Sequence, residues 1–180
     1  MKEKLALHLV ATVKRIGALW VGFLVSMIPV YILRGNIHDL DTLAVAERCT
    51  TTAIVLLVSA VLLFFLYRRD DHAAKMNTKE ALLLVLIPTL IHFVFCFITA
   101  FTKNLIVIST GMGCYYFVHL LEPEANGVAE LSAGGQVIAA AVVPLLPAVG
   151  VYFGCLSARK KREKEVSELH HEGELRQKRP

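Results

Sequence analysis

Charge is missing from this sequence where a soluble protein needs it. Five stretches contain no Asp, Glu, Lys or Arg: Ile16 to Leu33, Cys49 to Tyr67, Ala81 to Thr102, Asn104 to Leu121 and Leu131 to Ala158. Together they occupy 105 of the 180 residues, so all 34 charged side chains crowd into the other 75. A water-facing helix must interrupt its apolar face every turn or two, and these stretches do not. That excludes a soluble enzyme domain, a nucleic-acid reader and a secreted module.

Other absences narrow the reading further. Cys49, Cys96, Cys114 and Cys155 are scattered, with no C-x-x-C and no matched histidine spacing, so zinc-ribbon and dithiol redox chemistry are not indicated. Neither G-x-S-x-G nor H-E-x-x-H occurs, which leaves an intramembrane hydrolase without its nucleophile or metal signature. No connection exceeds about fifteen residues, too few for a separate soluble domain of roughly 50 residues or more. His170, His171, Glu172 and Glu174 stand close together in the tail, but neighbouring histidines there are poorly preorganised, and no metal or cofactor is assigned.

What is present fits lipid as the solvent. About 20 apolar residues at ~1.5 Å each cross a ~30 Å hydrocarbon layer, and the backbone there must satisfy its own hydrogen bonds, which selects helices. The expected fold is all-α, a polytopic membrane bundle. Residues 1–15 are expected as a cytoplasmic interfacial helix, 16–158 as the membrane domain and 159–180 as a basic cytoplasmic tail. The first apolar run is long for a signal peptide and has no small-x-small cleavage site, so it is read as a retained span.

Lys and Arg counts set the orientation, because short basic loops resist translocation. Five spans with a cytoplasmic N-terminus would leave eight basic residues inside and eleven outside. Four spans leave sixteen inside and three outside, with both termini cytoplasmic in an inner membrane. Four transmembrane helices plus one re-entrant or interfacial segment are therefore expected, with five spans as the alternative. Asn104 to Leu121 is the preferred re-entrant segment because Ser109, Thr110, Gly111 and Gly113 interrupt it. A re-entrant 136–156 would give the same tally.

Three residue sets stand out. Thr89, His92, Cys96, Thr99 and Lys103 recur at spacings of three and four, a polar seam along one face of the third span. An ionisable group such as His92 at membrane depth should face the bundle interior or a wet cavity. Gly150, Gly154 and Ala158 form a small-residue stripe suited to close helix packing, within the chain or in a homo- or hetero-oligomer. Arg159, Lys160, Lys161, Arg162 and Lys164 follow the last span directly and are expected to touch anionic lipid headgroups.

Function is read from these sets. A non-catalytic accessory or scaffold subunit, working through the stripe and the tail, is the first expectation. A small transporter or channel component for a proton, cation or small polar solute, working through the seam, is the second. No catalytic residue is assigned.

Overall fold

Asp39, Asp70 and Asn77 punctuate the first half of the chain, each placing a side-chain oxygen where a helix begins. The computed structural model describes residues 2–102, 138 and 141–177. Within them α1 spans Lys2–Asn36, α2 Leu40–Arg68, α3 Asp71–Lys75, α4 Thr78–Thr102 and α5 Leu145–Gln177. Asp39 caps α2 by accepting from the Thr42 amide at 2.9 Å, and Asp70 caps α3 by accepting from the His72 amide at 3.0 Å. Asn77 and Glu80 form a reciprocal capping box at the start of α4, with bonds of 2.9 and 3.3 Å. Each cap satisfies amides that a helix N-terminus leaves unpaired.

The described residues are helical, with no strand among them, and three segments are long and apolar enough to cross a membrane: Leu5–Asn36, Cys49–Arg68 and Thr78–Ile98. Large apolar side chains such as Leu24, Ile28 and Leu57 point outward, as expected where the surrounding medium is hydrocarbon. Asn104 to Leu121 and the opening of the last uncharged stretch lie outside the described residues. Of that last stretch, Leu145 to Ala158 is helical and runs directly into the charged tail.

Residues 2–15 are helical but not a separate element: α1 continues through Lys14 and Arg15 without a break. The reason is tertiary. Lys14 bonds Asp70 at 2.9 Å and lies 5.0 Å from the centre of the Tyr67 ring, while Arg15 reaches α4, so this turn is held against the bundle.

Small residues set the helix packing. Gly22 of α1 lies against the Val55 backbone of α2, where a Cβ would fall 2.8 Å from the carbonyl oxygen. Gly150 and Gly154 of α5 lie against Ala60 and Phe64 of α2 in the same way. Backbones approach closely because nothing stands between them. The rising residue numbers show that α2 and α5 run parallel, while Lys14–Tyr67, Gly22–Val55 and Arg34–Glu47 show α1 and α2 antiparallel. The start of α1, α3 and the charged half of α5 meet at one end of the bundle, through Lys14–Asp70 and a 2.9 Å bond from Arg159 to Thr78 Oγ1. Arg34–Glu47 marks the other end.

Candidate functional site

The inward face of α1 is built from small residues at helical spacing: Ala11, Ala18, Gly22 and Ser26, all buried. Arg15 occupies the same face. With only 2% of its surface exposed, it is one of the most enclosed polar side chains in the molecule. Its Nη1 donates to Thr89 Oγ1 at 2.8 Å, and its Nη2 donates to the Pro144 carbonyl. Thr89 donates in turn to the Val85 carbonyl at 2.6 Å, which leaves its oxygen lone pairs for the guanidinium. Pro144 can act as an acceptor because Val143 and Pro144 form a buried turn immediately before α5.

Thr89 lies about two turns inside the uncharged stretch of α4. The guanidinium is therefore held beside the apolar part of α4 and is not turned back toward the charged end of the bundle. Both of its partners are neutral oxygens, and no described carboxylate pairs with it. Its Nε–H has no partner among the described residues.

One turn beyond Thr89, His92 is buried with neither ring nitrogen hydrogen-bonded among the described residues. Cys96, a turn farther, is fully buried. The structure thus turns Thr89, His92 and Cys96 inward and brings Arg15 to meet them. Thr99 lies on α4, its side chain is not described, and Lys103 is outside the described residues.

The interior has further polar groups. Ser26 of α1 and Thr51, Thr52 and Ser59 of α2 are buried. Ser26 and Ser59 donate to the carbonyls of Phe23 and Leu56 on their own helices, at 2.6 and 2.9 Å, while Thr52 Oγ1 has no partner among the described residues. The α1–α2 register places these hydroxyls at successive levels between the Lys14–Tyr67 contact and the Arg34–Glu47 ion pair. Together with Arg15 and His92 they distribute buried polarity along much of the bundle's length.

The other two sets have different surroundings. Gly150 and Gly154 are buried against α2 of the same chain, and Ala158, one turn on, is buried as well. In the tail, Arg159, Lys161 and Lys164 pair with Glu163, Glu165 and Glu168 one turn on, at 2.8, 3.6 and 3.6 Å. Lys160 and Arg162 are exposed. Such pairs stabilise an exposed helix by ~0.2–0.5 kcal/mol each and partly offset its positive charge. No group of three or more His, Cys, Asp or Glu residues able to hold a metal occurs among the described residues, and no disulfide joins Cys49, Cys96 or Cys155.

Sequence reasoning assigned Arg15 to the cytoplasmic flank with Lys14. The signal for its burial was its place in register with Ala11, Ala18 and Gly22, a small-residue face with one long cation in it. Comparison with protein-family models, curated proteins and solved structures found no match.

Proposed function

We propose that this chain is a small multi-pass protein of the cytoplasmic membrane, with both termini inside, and that it acts as a transporter or channel component through its interior polar residues. The observation that carries this reading is the burial of Arg15 against Thr89, one turn from a His92 whose two ring nitrogens have no described partner. Polar groups at membrane depth are costly, and in functional proteins they line the path of an ion, a proton or a polar solute. A fixed guanidinium disfavours a metal cation beside it. The same charge disfavours a proton resting on His92, which leaves a small neutral or anionic solute hydrogen-bonded by Arg15 and His92 as the class of cargo.

The test is flux into liposomes containing the purified full-length chain, followed with a pH-sensitive dye for protons, a halide-sensitive dye for chloride and light scattering for glycerol. Chloride or glycerol should enter ten-fold faster than in protein-free vesicles, and His92→Leu should remove most of that excess. Rates equal to empty vesicles for both, or excess flux untouched by His92→Leu, would overturn the reading.

The accessory-subunit reading is supported by a different feature. The charged half of α5 continues as a solvated helix to Gln177, a rod that a soluble partner could grip. The small-residue stripe contributes less to that reading, since α2 occupies it. Truncation after Ala158 separates the two: it should release a co-purifying partner under the second reading and leave flux intact under the first.

A further inference from the structure

At the end of the bundle where α1, α3 and α4 meet, a cleft of about 580 Å³ opens between them. Its polar residues divide sharply by whether they are already engaged. Both acids are: Asp70 accepts from Lys14 and from the His72 and Ala73 amides, and Glu80 accepts from the Asn77 amide. The groups left over are cationic or potential donors. Lys75 and His72 line the cleft with exposed side chains that take part in no hydrogen bond or ion pair among the described residues, and His8 contributes a buried Nδ1 with no partner among them. Among the described residues the Lys14 and Asp70 charges cancel, Glu80 keeps its negative charge with one oxygen taken by the Asn77 amide, and Lys75 and His72 supply the exposed positive charge and donors.

The remaining walls are apolar. Leu7, Val10, Met76 and Leu83 line the same cleft, and Val10 and Leu83 are about half exposed, continuous with Leu9, Val13 and Leu82 on the outward helix faces. Leu83 sits at the start of the uncharged stretch of α4, while Lys75 lies just before it, so the cleft straddles the boundary between headgroups and hydrocarbon. A ligand that satisfies both halves is an amphiphile with an anionic head.

We infer that this cleft binds an anionic glycerophospholipid, its phosphate held by Lys75, His72 and His8 and its glycerol and upper acyl chain lying against Leu7, Val10 and Leu83. The site is distinct from the basic tail, where Arg159, Lys161 and Lys164 already have carboxylate partners on their own helix. It is also independent of the interior polar residues, so it stands whether or not the chain carries a solute.

The experiment is native mass spectrometry of the full-length chain in detergent, titrated with phosphatidylglycerol, phosphatidylcholine or inorganic phosphate. Three forms are compared: wild type, Lys75→Gln/His72→Gln, and Lys160→Gln/Arg162→Gln. One phosphatidylglycerol should bind at least five-fold more tightly than phosphatidylcholine, with the cleft variant losing that preference and the tail variant keeping it. Because Lys75 and His72 are exposed and have no side-chain partner among the described residues, the cleft variant should unfold at the wild-type temperature without lipid, which separates lost binding from lost fold. Loss confined to the tail variant, no preference for phosphatidylglycerol, or inorganic phosphate displacing the lipid at equal concentration would each overturn the proposal.

Discussion

Arg15 and Thr89, 74 positions apart, are joined by a 2.8 Å hydrogen bond inside the bundle, the first lying just before one uncharged stretch and the second well within another. Keeping a guanidinium there is expensive, and the partners it has found are neutral. If its purpose were only to fasten α1 to α4, an apolar side chain of similar length would do as well, because replacing a buried charge by a well-packed apolar group is often neutral or stabilising.

Arg15→Met is therefore expected to leave the unfolding midpoint in detergent within about 1 kcal/mol of wild type, or to raise it. The same substitution should abolish the solute flux carried by wild type. Arg15→Lys keeps the charge but loses the two-pronged donation to Thr89 and Pro144, and should give intermediate flux. Thermal unfolding and liposome flux on the same preparations check the prediction; a variant that unfolds readily and whose flux falls only in proportion to folded protein would make Arg15 a structural tie.

The glycines separate into two groups with opposite expectations. A Cβ on Gly150 would fall on the Ala60 carbonyl oxygen, and one on Gly154 would sit 2.7 Å from the Phe64 carbonyl oxygen, both backbone atoms that cannot swing away. Gly150→Ala and Gly154→Ala should each destabilise by about 1–3 kcal/mol, the usual range for overpacking. Gly17 has nothing near its absent Cβ and lies within α1, so Gly17→Ala should stabilise by ~0.5–1 kcal/mol through helix propensity alone. Equal effects at Gly17 and Gly150 would refute the close approach of α2 and α5.

Much of the described architecture could be read from where charge is missing. The uncharged stretches marked α1, α2 and α4, the three helices long and apolar enough to cross a membrane, where a backbone would have no alternative to helix. The spacing of Thr89, His92 and Cys96 puts them on one face of α4, where His92 and Cys96 are buried. Two things were not legible. Continuity of α1 from Lys2 through Arg15 depends on Lys14–Asp70 and Arg15–Thr89, contacts between positions 56 and 74 apart that no local pattern encodes. Arg15 itself looked like a topological marker because Lys14 stands next to it, yet successive residues on a helix point about 100° apart and these two point to different surroundings.

Acid should weaken the end of the bundle where Lys14 meets Asp70. Partial burial disfavours the Asp70 carboxylate, but the Lys14 hydrogen bond and charge, with the His72 and Ala73 amides, outweigh it and hold the group below its ordinary value of 3.8. A depressed folded value means that the stabilisation is fully present above about pH 4 and is lost as pH falls through the lower folded value. With water screening the pair, it should amount to no more than ~1 kcal/mol. Asp70→Asn keeps an acceptor at the cap of α3 and should flatten the stability profile below pH 4 without abolishing folding. Unfolding midpoints between pH 2.5 and 7 in detergent check both statements, and a wild-type profile as flat as that of Asp70→Asn would remove the ion pair from the stability account.

The last prediction concerns which residues share a side of the membrane, and it contains two separable claims. The first comes from the fold: Lys14–Asp70 and Arg159–Thr78 gather the start of α1, α3 and the start of the tail at one end, with Asn36 at the other. The second, that the gathered end is cytoplasmic, rests on the excess of Lys and Arg there. Cysteines introduced one at a time at Asn36, Asp71 and Lys160, in a Cys49→Ser/Cys114→Ser background that keeps only the buried Cys96 and Cys155, can be probed with a membrane-impermeant maleimide on intact and permeabilised cells. Asp71→Cys and Lys160→Cys should react only after permeabilisation, and Asn36→Cys before it. If Asp71→Cys and Lys160→Cys behave differently from each other, the packing of α5 parallel to α2 is wrong. If they agree but react on intact cells, the fold stands and the orientation is inverted, which would place the basic tail where anionic cytoplasmic lipid cannot meet it.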